Sequence, residues 1–248
     1  WSSDSKQKET RLLSRADVVI ASSATIADRY TESGRQAIVI PNAADTKAFG
    51  GTTEHQDVPT DLAMILPPRI GYTGNLNRKV DFPLVESLAS RQRGWNFIFI
   101  GQVGNLDQEG QSSYERCKRM PNVFFLGSKS HRDLPAYVRA MDVNVICYRL
   151  GPKMWTHGIY PLKLHEYLAA GKPVVSSNLP SIRQFRSVVA IANNERDWER
   201  LLEAAICKGG VGDTDVRRTV AGQNDWDVRV SAIRQLLDGL LRTESDAE

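Results

Sequence analysis

Along the chain, short apolar runs bounded by turn residues recur between stretches with helical periodicity. The runs are Asp17–Ser22, Ala37–Ile40, Arg69–Tyr72, Asn96–Ile100, Val123–Leu126, Val143–Cys147, Pro173–Ser176 and Val188–Ile191. They are rich in Val, Ile and Phe and scarcely alternate. Strands buried on both faces have this pattern, so a parallel sheet covered by helices is predicted. Between them, Phe82, Val85, Leu88 and Ala89 make one helical stripe, and Leu134, Tyr137, Val138 and Met141 make another. A third stripe, Val228, Val230, Ile233, Leu236, Leu237 and Leu240, lines a long final helix. Strand–helix alternation of this kind predicts a doubly wound α/β fold.

The segment PLKLHEYLAAGKPVVS, Pro161 to Ser176, reads as a helix that opens on Pro161, closes on Gly171 and leads directly into a buried strand. Proline suits the first helical position because that N–H has no helical partner, and glycine suits the left-handed residue past the end. The first turn of such a helix offers unpaired N–H groups and the positive end of its dipole to an anion. Lys163 lies in that turn, and Glu166 follows on the same face. A cation for phosphates beside a carboxylate for sugar hydroxyls makes a nucleotide-diphosphate clamp. A solvated helix cap is the alternative that this segment alone leaves open.

The stretch from Gly50 to Pro68 is rich in Gly, Thr and Pro and lacks sustained periodicity, so it reads as a linker or long surface connection. Residues 1–50 then hold two strands and one helix, too little to bury a core alone. Residues 51–68 are the linker, 69–243 a complete domain, and 244–248 a frayed tail. The chain opens on WSSDSKQKET, without a methionine or a signal peptide, as a processed or cut piece would.

Composition changes this picture little. With 41% apolar and 25% charged residues it is ordinary for a globular protein, and no apolar run is long enough to span a bilayer. A net charge of +3 gives no reason to expect nucleic acid as a partner. Arg91, Arg93, Lys118, Arg119, Lys129 and Arg132 read as solvated helix faces, with attraction to anionic lipid as the alternative. Cys117, Cys147 and Cys207 are far apart and odd in number, which suits reduced thiols better than a disulfide framework. The four histidines, His55, His131, His157 and His165, form no metal-ligand pattern, and no metal is expected.

Ligands of open α/β sheets bind beyond the carboxyl ends of the strands. The run Arg69–Tyr72 leads into Thr73-Gly74-Asn75-Leu76-Asn77-Arg78-Lys79. There Gly74 allows close backbone approach, and Arg78 and Lys79 bring two positive charges. An exposed turn with basic residues is the alternative. The next runs end at Gly101 with Gly104 behind it, at Gly127-Ser128-Lys129, and at Cys147-Tyr148-Arg149. Glycine and basic residues gathered on one sheet edge predict a site for an anionic ligand.

These residues resemble a known family. Ile40–Phe49, IPNAADTKAF, is similar to the interdomain segment of GT-B glycosyltransferases of the retaining, glycogen-synthase-like type, the glycosyl transferases group 1. GYTGN, FIFIG and NVFFLG, with ADVVIASS upstream, follow that superfamily's order; PLKLHEYLAAGKPVVS looks like its donor-binding helix and WDVRVSAIRQLL like its closing helix. The resemblance runs from Arg15 to Leu241. It implies a Rossmann-like donor-binding domain plus the last strands and helix of a second, acceptor-binding domain, with catalysis in the cleft between them.

Carried over residue by residue, the resemblance implies Glu166 on the ribose hydroxyls, Leu162 and Lys163 at the diphosphate, and Gly74 and Asn75 facing the phosphates and the transferring sugar. It makes Arg78 and Lys79 the catalytic basic pair that stabilises the departing diphosphate without a metal. Ser128 and Lys129 fall where the base is held. Family members often carry a second glutamate eight positions before the ribose glutamate; here that position is Gly158, in the loop GPKMWTHGIYP. Lys153, Trp155, His157 and Tyr160 of that loop are the remaining candidates for contact with the donor sugar, and the stereochemical outcome stays open.

The implied function is transfer of a sugar from a nucleotide-diphosphate sugar, with uridine as first choice of base, to a polysaccharide or glycolipid acceptor in envelope assembly. The nucleotide-sugar is then a substrate, and no cofactor is expected. The implied location is the cytoplasm, with peripheral contact at the inner membrane face. With most of the acceptor domain outside this sequence, the chain is expected to bind nucleotide and transfer sugar poorly alone. A non-catalytic nucleotide-sugar-binding or scaffold module and a nucleotide-sugar epimerase are the alternatives. A nicotinamide-binding domain would need G-x-G-x-x-G after a strand, which Gly101 and Gly104 do not complete.

Overall fold

The computed structural model describes residues 3–32, 34–51, 58–151 and 154–245. Each of the apolar runs overlaps a strand. β1 (Ile20–Ala21) and β2 (Ile38–Val39) form a small parallel pair. The others are β3 (Arg69–Thr73), β4 (Asn96–Ile100), β5 (Val123–Phe125), β6 (Val143–Ile146), β7 (Val174–Ser177) and β8 (Ala190–Ala192). These six make one parallel sheet in the order β5-β4-β3-β6-β7-β8. The chain winds outward through β4 and β5, returns to β6, and winds outward the other way. The crevice beyond the carboxyl ends of β3 and β6 is therefore the topological switch point of the sheet.

The helices are α1 (Ser3–Arg15), α2 (Ala24–Glu32), α3 (Thr46–Gly50), α4 (Thr60–Ala63), α5 (Phe82–Arg91) and α6 (Gln108–Cys117). They continue with α7 (Leu134–Arg139), α8 (Lys163–Ala169), α9 (Glu195–Lys208), α10 (Thr214–Gly222) and α11 (Trp226–Ser245). Successive residues of a strand point to opposite faces. Phe97 and Phe99 of β4 accordingly enter the main core cluster, while Ile98 and Ile100 enter a second cluster with Leu62, Ile65, Tyr137 and Met141. Both faces are dry, which is why the strand sequences do not alternate. Each large apolar side chain buried this way contributes about 1.5–3 kcal/mol.

Local signals fix where the helices begin and end. Asp81 caps α5 by accepting the Leu84 N–H at 3.1 Å, and the buried residues of α5 are Phe82, Val85, Leu88 and Ala89, the predicted stripe. α8 begins at Lys163 with Leu162 as its cap, two residues later than the proline start read from sequence. Pro161 instead lies in the preceding turn, where its carbonyl accepts the Leu164 N–H at 3.2 Å. Gly171 follows the end of α8 at φ 72°, the left-handed position glycine fills most easily. The far end of α8 is held by Arg217, a buried guanidinium that donates to the Gly171 carbonyl at 3.0 Å and to the carbonyls of Gly209, Val211 and Gly212. One cation thus satisfies the ends of both α8 and α9.

Three features differ from the sequence reading. The first 50 residues carry three helices rather than one, because the only leucines of α1, Leu12 and Leu13, are adjacent and make no repeating apolar stripe to read; its Glu9 accepts the Tyr30 hydroxyl at 2.8 Å. Between 51 and 68, residues 52–57 lie outside the described residues, but α4 follows, and its Leu62 is fully buried in the second cluster. Phe49 of α3 packs in the main cluster, and buried Arg139 donates to the carbonyls of Ala48 and Phe49. The predicted stripe of α11 is only partly covered: Val228, Val230 and Leu237 are exposed, and Ile233, Leu236 and Leu240 are half-buried. α11 continues to Ser245, into the segment read as a frayed tail. No helix among the described residues is long and apolar enough to cross a membrane.

Candidate functional site

At the switch point lies a cavity of about 400 Å³. Its polar lining comes from Asn42, Thr73, Gly74, Asn75, Lys79, Tyr148, Tyr160, Lys163 and Glu166; Leu134, Trp155, Ile159, Pro161 and Leu162 supply the apolar part. The volume falls within the range of small-molecule sites. Three strand ends and the start of α8 meet here.

The loop after β3 is pinned to the loop after β4. The Gly74 N–H donates to the Ile100 carbonyl at 2.8 Å, and the Leu76 N–H to the Gln102 carbonyl at 2.9 Å. Gly74 (φ 117°) and Gly101 (φ 150°) pack so closely that a Cβ added to Gly101 would sit 2.1 Å from the Gly74 oxygen. Both conformations and the approach itself require glycine. Tyr167, fully buried on α8, accepts the Thr73 N–H at 2.8 Å and fixes the helix against this loop.

Lys163 is buried, and its Nζ donates to the Tyr148 hydroxyl at 2.9 Å. The ammonium lies 4.1 Å from the Tyr72 ring centroid and 5.1 Å from that of Tyr148. Burial pushes its pKa down from 10.5 to about 8, opposed by the nearby Glu166 carboxylate. Lys79 lies 5.3 Å from the Tyr148 ring centroid; burial lowers its pKa, and the Lys163 charge adds to the lowering. Burial raises the pKa of Glu166, while Lys163 and His131 pull it back. Two ammonium groups and one carboxylate thus converge on one cavity. Cations suit a diphosphate, and a carboxylate, as a double acceptor, suits a vicinal diol.

The structure therefore brings together Gly74, Asn75, Lys79, Leu162, Lys163, Glu166 and Tyr160 around one cavity. Arg78 is exposed beside it and is not part of the lining. Ser128 is exposed, and the Lys129 ammonium is committed to Asp61 at 2.6 Å, over the Tyr137 ring. In the 154–160 loop, His157 is exposed and outside the lining. Gly158 faces α2: its carbonyl accepts the Ser23 hydroxyl at 2.8 Å, and a Cβ there would meet Ile26 at 3.4 Å. Tyr160 is buried, shares a 2.8 Å hydrogen bond with His165 Nε2, and has its pKa raised to about 12 by burial. Lys153 lies outside the described residues.

Sequence reasoning gave no site role to Asn42, Thr73 or Tyr148. Asn42 stands within IPNAADTKAF, and its side-chain amide donates to the Tyr160 carbonyl at 2.7 Å. Tyr148 ends an apolar run directly before Arg149, and only the fold shows that its ring meets both lysines. Of the basic residues considered for lipid contact, Arg91, Lys118 and Lys129 are engaged in ion pairs. Cys117 and Cys147 are buried, Cys207 is exposed, and all three are free thiols. No cluster of His, Cys, Asp or Glu suited to a metal occurs among the described residues.

A doubly wound sheet with a cation-lined cavity at its switch point defines an open α/β protein whose ligand cavity lies where such folds place it. Residues 67–208 match the family model described as glycosyl transferases group 1, and the chain belongs to that family. It is 29% identical over 235 residues to the Bacillus subtilis protein named "Putative teichuronic acid biosynthesis glycosyltransferase TuaH", covering 90% of this chain and 57% of that one. The chain thus spans little more than half the length of that relative. Anabaena HepE, solved in complex with UDP and glucose, superposes with a TM-score of 0.76 at 16% identity, over 96% of this chain and 68% of that one. Sucrose-phosphate synthase from Thermosynechococcus elongatus gives a TM-score of 0.69 at 19% identity, over 98% and 64%. These likenesses establish the GT-B fold.

Proposed function

We propose that this chain is the donor-binding half of a glycosyltransferase that moves a sugar from a nucleotide-diphosphate sugar to a polysaccharide or lipid-linked acceptor in envelope assembly. The observation that carries the reading is the convergence of Lys79, Lys163 and Glu166 on one cavity at the switch point. Family membership and the likeness to TuaH support it. The UDP complex of HepE favours uridine as the base.

In this reading Lys163 and Lys79 hold the diphosphate, with Arg78 at the rim, and Glu166 holds the ribose hydroxyls. Gly74, Asn75 and Leu162 present backbone to the phosphates and the sugar. The backbone at Ser128 and Lys129 meets the base. Tyr160 and Trp155 border the donor sugar. The diphosphate departs with negative charge that the fixed ammonium groups stabilise; fixed charges need no reorganisation as charge develops, so no metal is required. The acceptor approaches from the side of Ser23 and Asn42, and a lipid-linked acceptor would place the protein peripherally at the cytoplasmic membrane face.

Calorimetric titration with UDP and GDP, first with EDTA and then with magnesium, tests this. Binding of UDP that EDTA does not abolish is expected. A folded protein that binds neither nucleotide under either condition would overturn the reading.

A further inference from the structure

Neither Lys163 nor Lys79 forms an ion pair with a carboxylate among the described residues. Their surroundings are aromatic. Lys163 Nζ is 4.1 Å from the Tyr72 ring centroid and donates to the Tyr148 hydroxyl at 2.9 Å, while Lys79 Nζ is 5.3 Å from the centroid of that same Tyr148 ring. Tyr72 and Tyr148 are themselves packed edge to face, with centroids 6.4 Å apart. Tyr148 cannot drift: its carbonyl accepts the Ser177 hydroxyl at 2.7 Å, and it bridges Val80 across the loop that carries Lys79.

A carboxylate in this position would hold the lysines but cancel their charge. A ring face and a hydroxyl oxygen hold an ammonium by its electrostatic attraction to them and leave the full charge available. We propose that Tyr148 is a positioning residue, whose hydroxyl and ring, together with the Tyr72 ring, hold the Lys163 and Lys79 ammonium groups at the phosphate end of the cavity without neutralising them. The inference rests on the reading of this cavity as a diphosphate site, and it assigns the work of orienting the two cations to one aromatic side chain. The titratable and charged groups facing Lys163 are Tyr72 on β3, Cys147 and Tyr148 at the end of β6, Lys79 on the following loop, and Glu166 on α8 itself.

The test compares wild type with Tyr148→Phe, which keeps the ring and loses the oxygen, and with Tyr148→Leu, which loses both. Two readouts are taken: the Lys163 titration midpoint, from carbon NMR of lysine-labelled protein assigned with Lys163→Arg, and UDP affinity across pH by calorimetry. In Tyr148→Phe the ammonium loses an acceptor, so the midpoint should move down by about half a unit or more, and UDP affinity at neutral pH should fall about threefold to tenfold. Tyr148→Leu should lose about tenfold or more, through both lysines. A merely structural role would lower the melting temperature and weaken binding equally at every pH, with the midpoint unmoved; that result overturns the proposal. An unchanged midpoint and unchanged affinity in Tyr148→Phe also overturn it. Failure of wild type to bind UDP or GDP, with the midpoint shift intact, would overturn the diphosphate reading and leave the aromatic support of Lys163 standing.

Discussion

The cavity wall made by Gly74, Tyr148, Lys163 and Glu166 is built within the six-stranded sheet and α8, whereas the wall made by Ile159 and Tyr160 is held in part from the N-terminal segment. In the first, Gly74 leans on Gly101, Thr73 on Tyr167, and Lys163 on Tyr148. In the second, the Ser23 hydroxyl holds the Gly158 carbonyl and the Asn42 amide holds the Tyr160 carbonyl, across 135 and 118 residues of sequence. Within its own neighbourhood the loop is tied by the Ser181 hydroxyl, which donates to the Ile159 carbonyl at 2.6 Å, by the 2.8 Å hydrogen bond between Tyr160 and His165, and by the Thr156 hydroxyl, which donates to the Arg149 carbonyl at 2.7 Å. The first wall is thus set by the fold of one sheet, while the second depends also on where the N-terminal segment sits.

Substitutions separate the two walls. The largest expected effect is that of Gly101→Ala, whose methyl would collide with the Gly74 carbonyl at a backbone conformation unsuited to alanine. A loss of about 3 kcal/mol or more is expected by chemical denaturation, at the upper end of the cost of overpacking. An unchanged midpoint would show that the first wall is not rigid. Lys163→Met should weaken UDP binding about thirtyfold, in the range for a lost charged hydrogen bond. The same change removes a buried ammonium and should stabilise the unliganded protein by about 1–3 kcal/mol. A variant that bound UDP normally would remove Lys163 from the site. Glu166→Ala should cost about 1–3 kcal/mol of nucleotide affinity, and unchanged binding would exclude Glu166.

A pH series sharpens the same contrast. The free Lys163 ammonium titrates near 8, and a bound diphosphate would raise that value. UDP binding should therefore be full below about pH 8 and fall by up to tenfold per pH unit above it, with proton uptake on binding in that window. Stability of the free protein runs the other way. Between 8 and 10.5 the unfolded chain holds the proton that folded Lys163 has lost, so this group's contribution to stability improves as pH rises through that window. A flat affinity profile would mean that Lys163 does not meet the ligand charge. The smallest effects belong to the second wall. Ser23→Ala and Asn42→Ala should each cost about 1 kcal/mol of stability and leave UDP affinity within about threefold. On the proposed reading they should also lower sugar transfer more than nucleotide binding. Equal losses of both would merge the two walls into one unit.

Much of the first wall was readable along the chain. The six strands of the main sheet showed because both its faces are dry, and Lys163 and Glu166 showed because helical spacing puts i and i+3 on one face. Gly74 and Gly101 stood at strand ends, where glycine signals close approach. Tyr148 carried no such mark: an aromatic residue after an apolar run is ordinarily core, and its contact with two lysines joins three separate elements. Lys129 looked free in sequence and is paired with Asp61 from a segment without periodicity. α1 was missed because its only leucines, Leu12 and Leu13, are adjacent and show no period, and α4 because four residues are too short for a period to appear.

By itself, the sequence determined the α/β class, the strand positions, and the edge of the sheet where cations and glycines gather, because hydrophobic periodicity and turn chemistry act over a few neighbouring residues. The tertiary structure alone decided which lysines share a tyrosine, which way Gly158 faces, and that Asn42 closes the cavity. Those contacts join residues 15 to 135 positions apart, and their energies depend on burial and geometry that only the packed sheet creates.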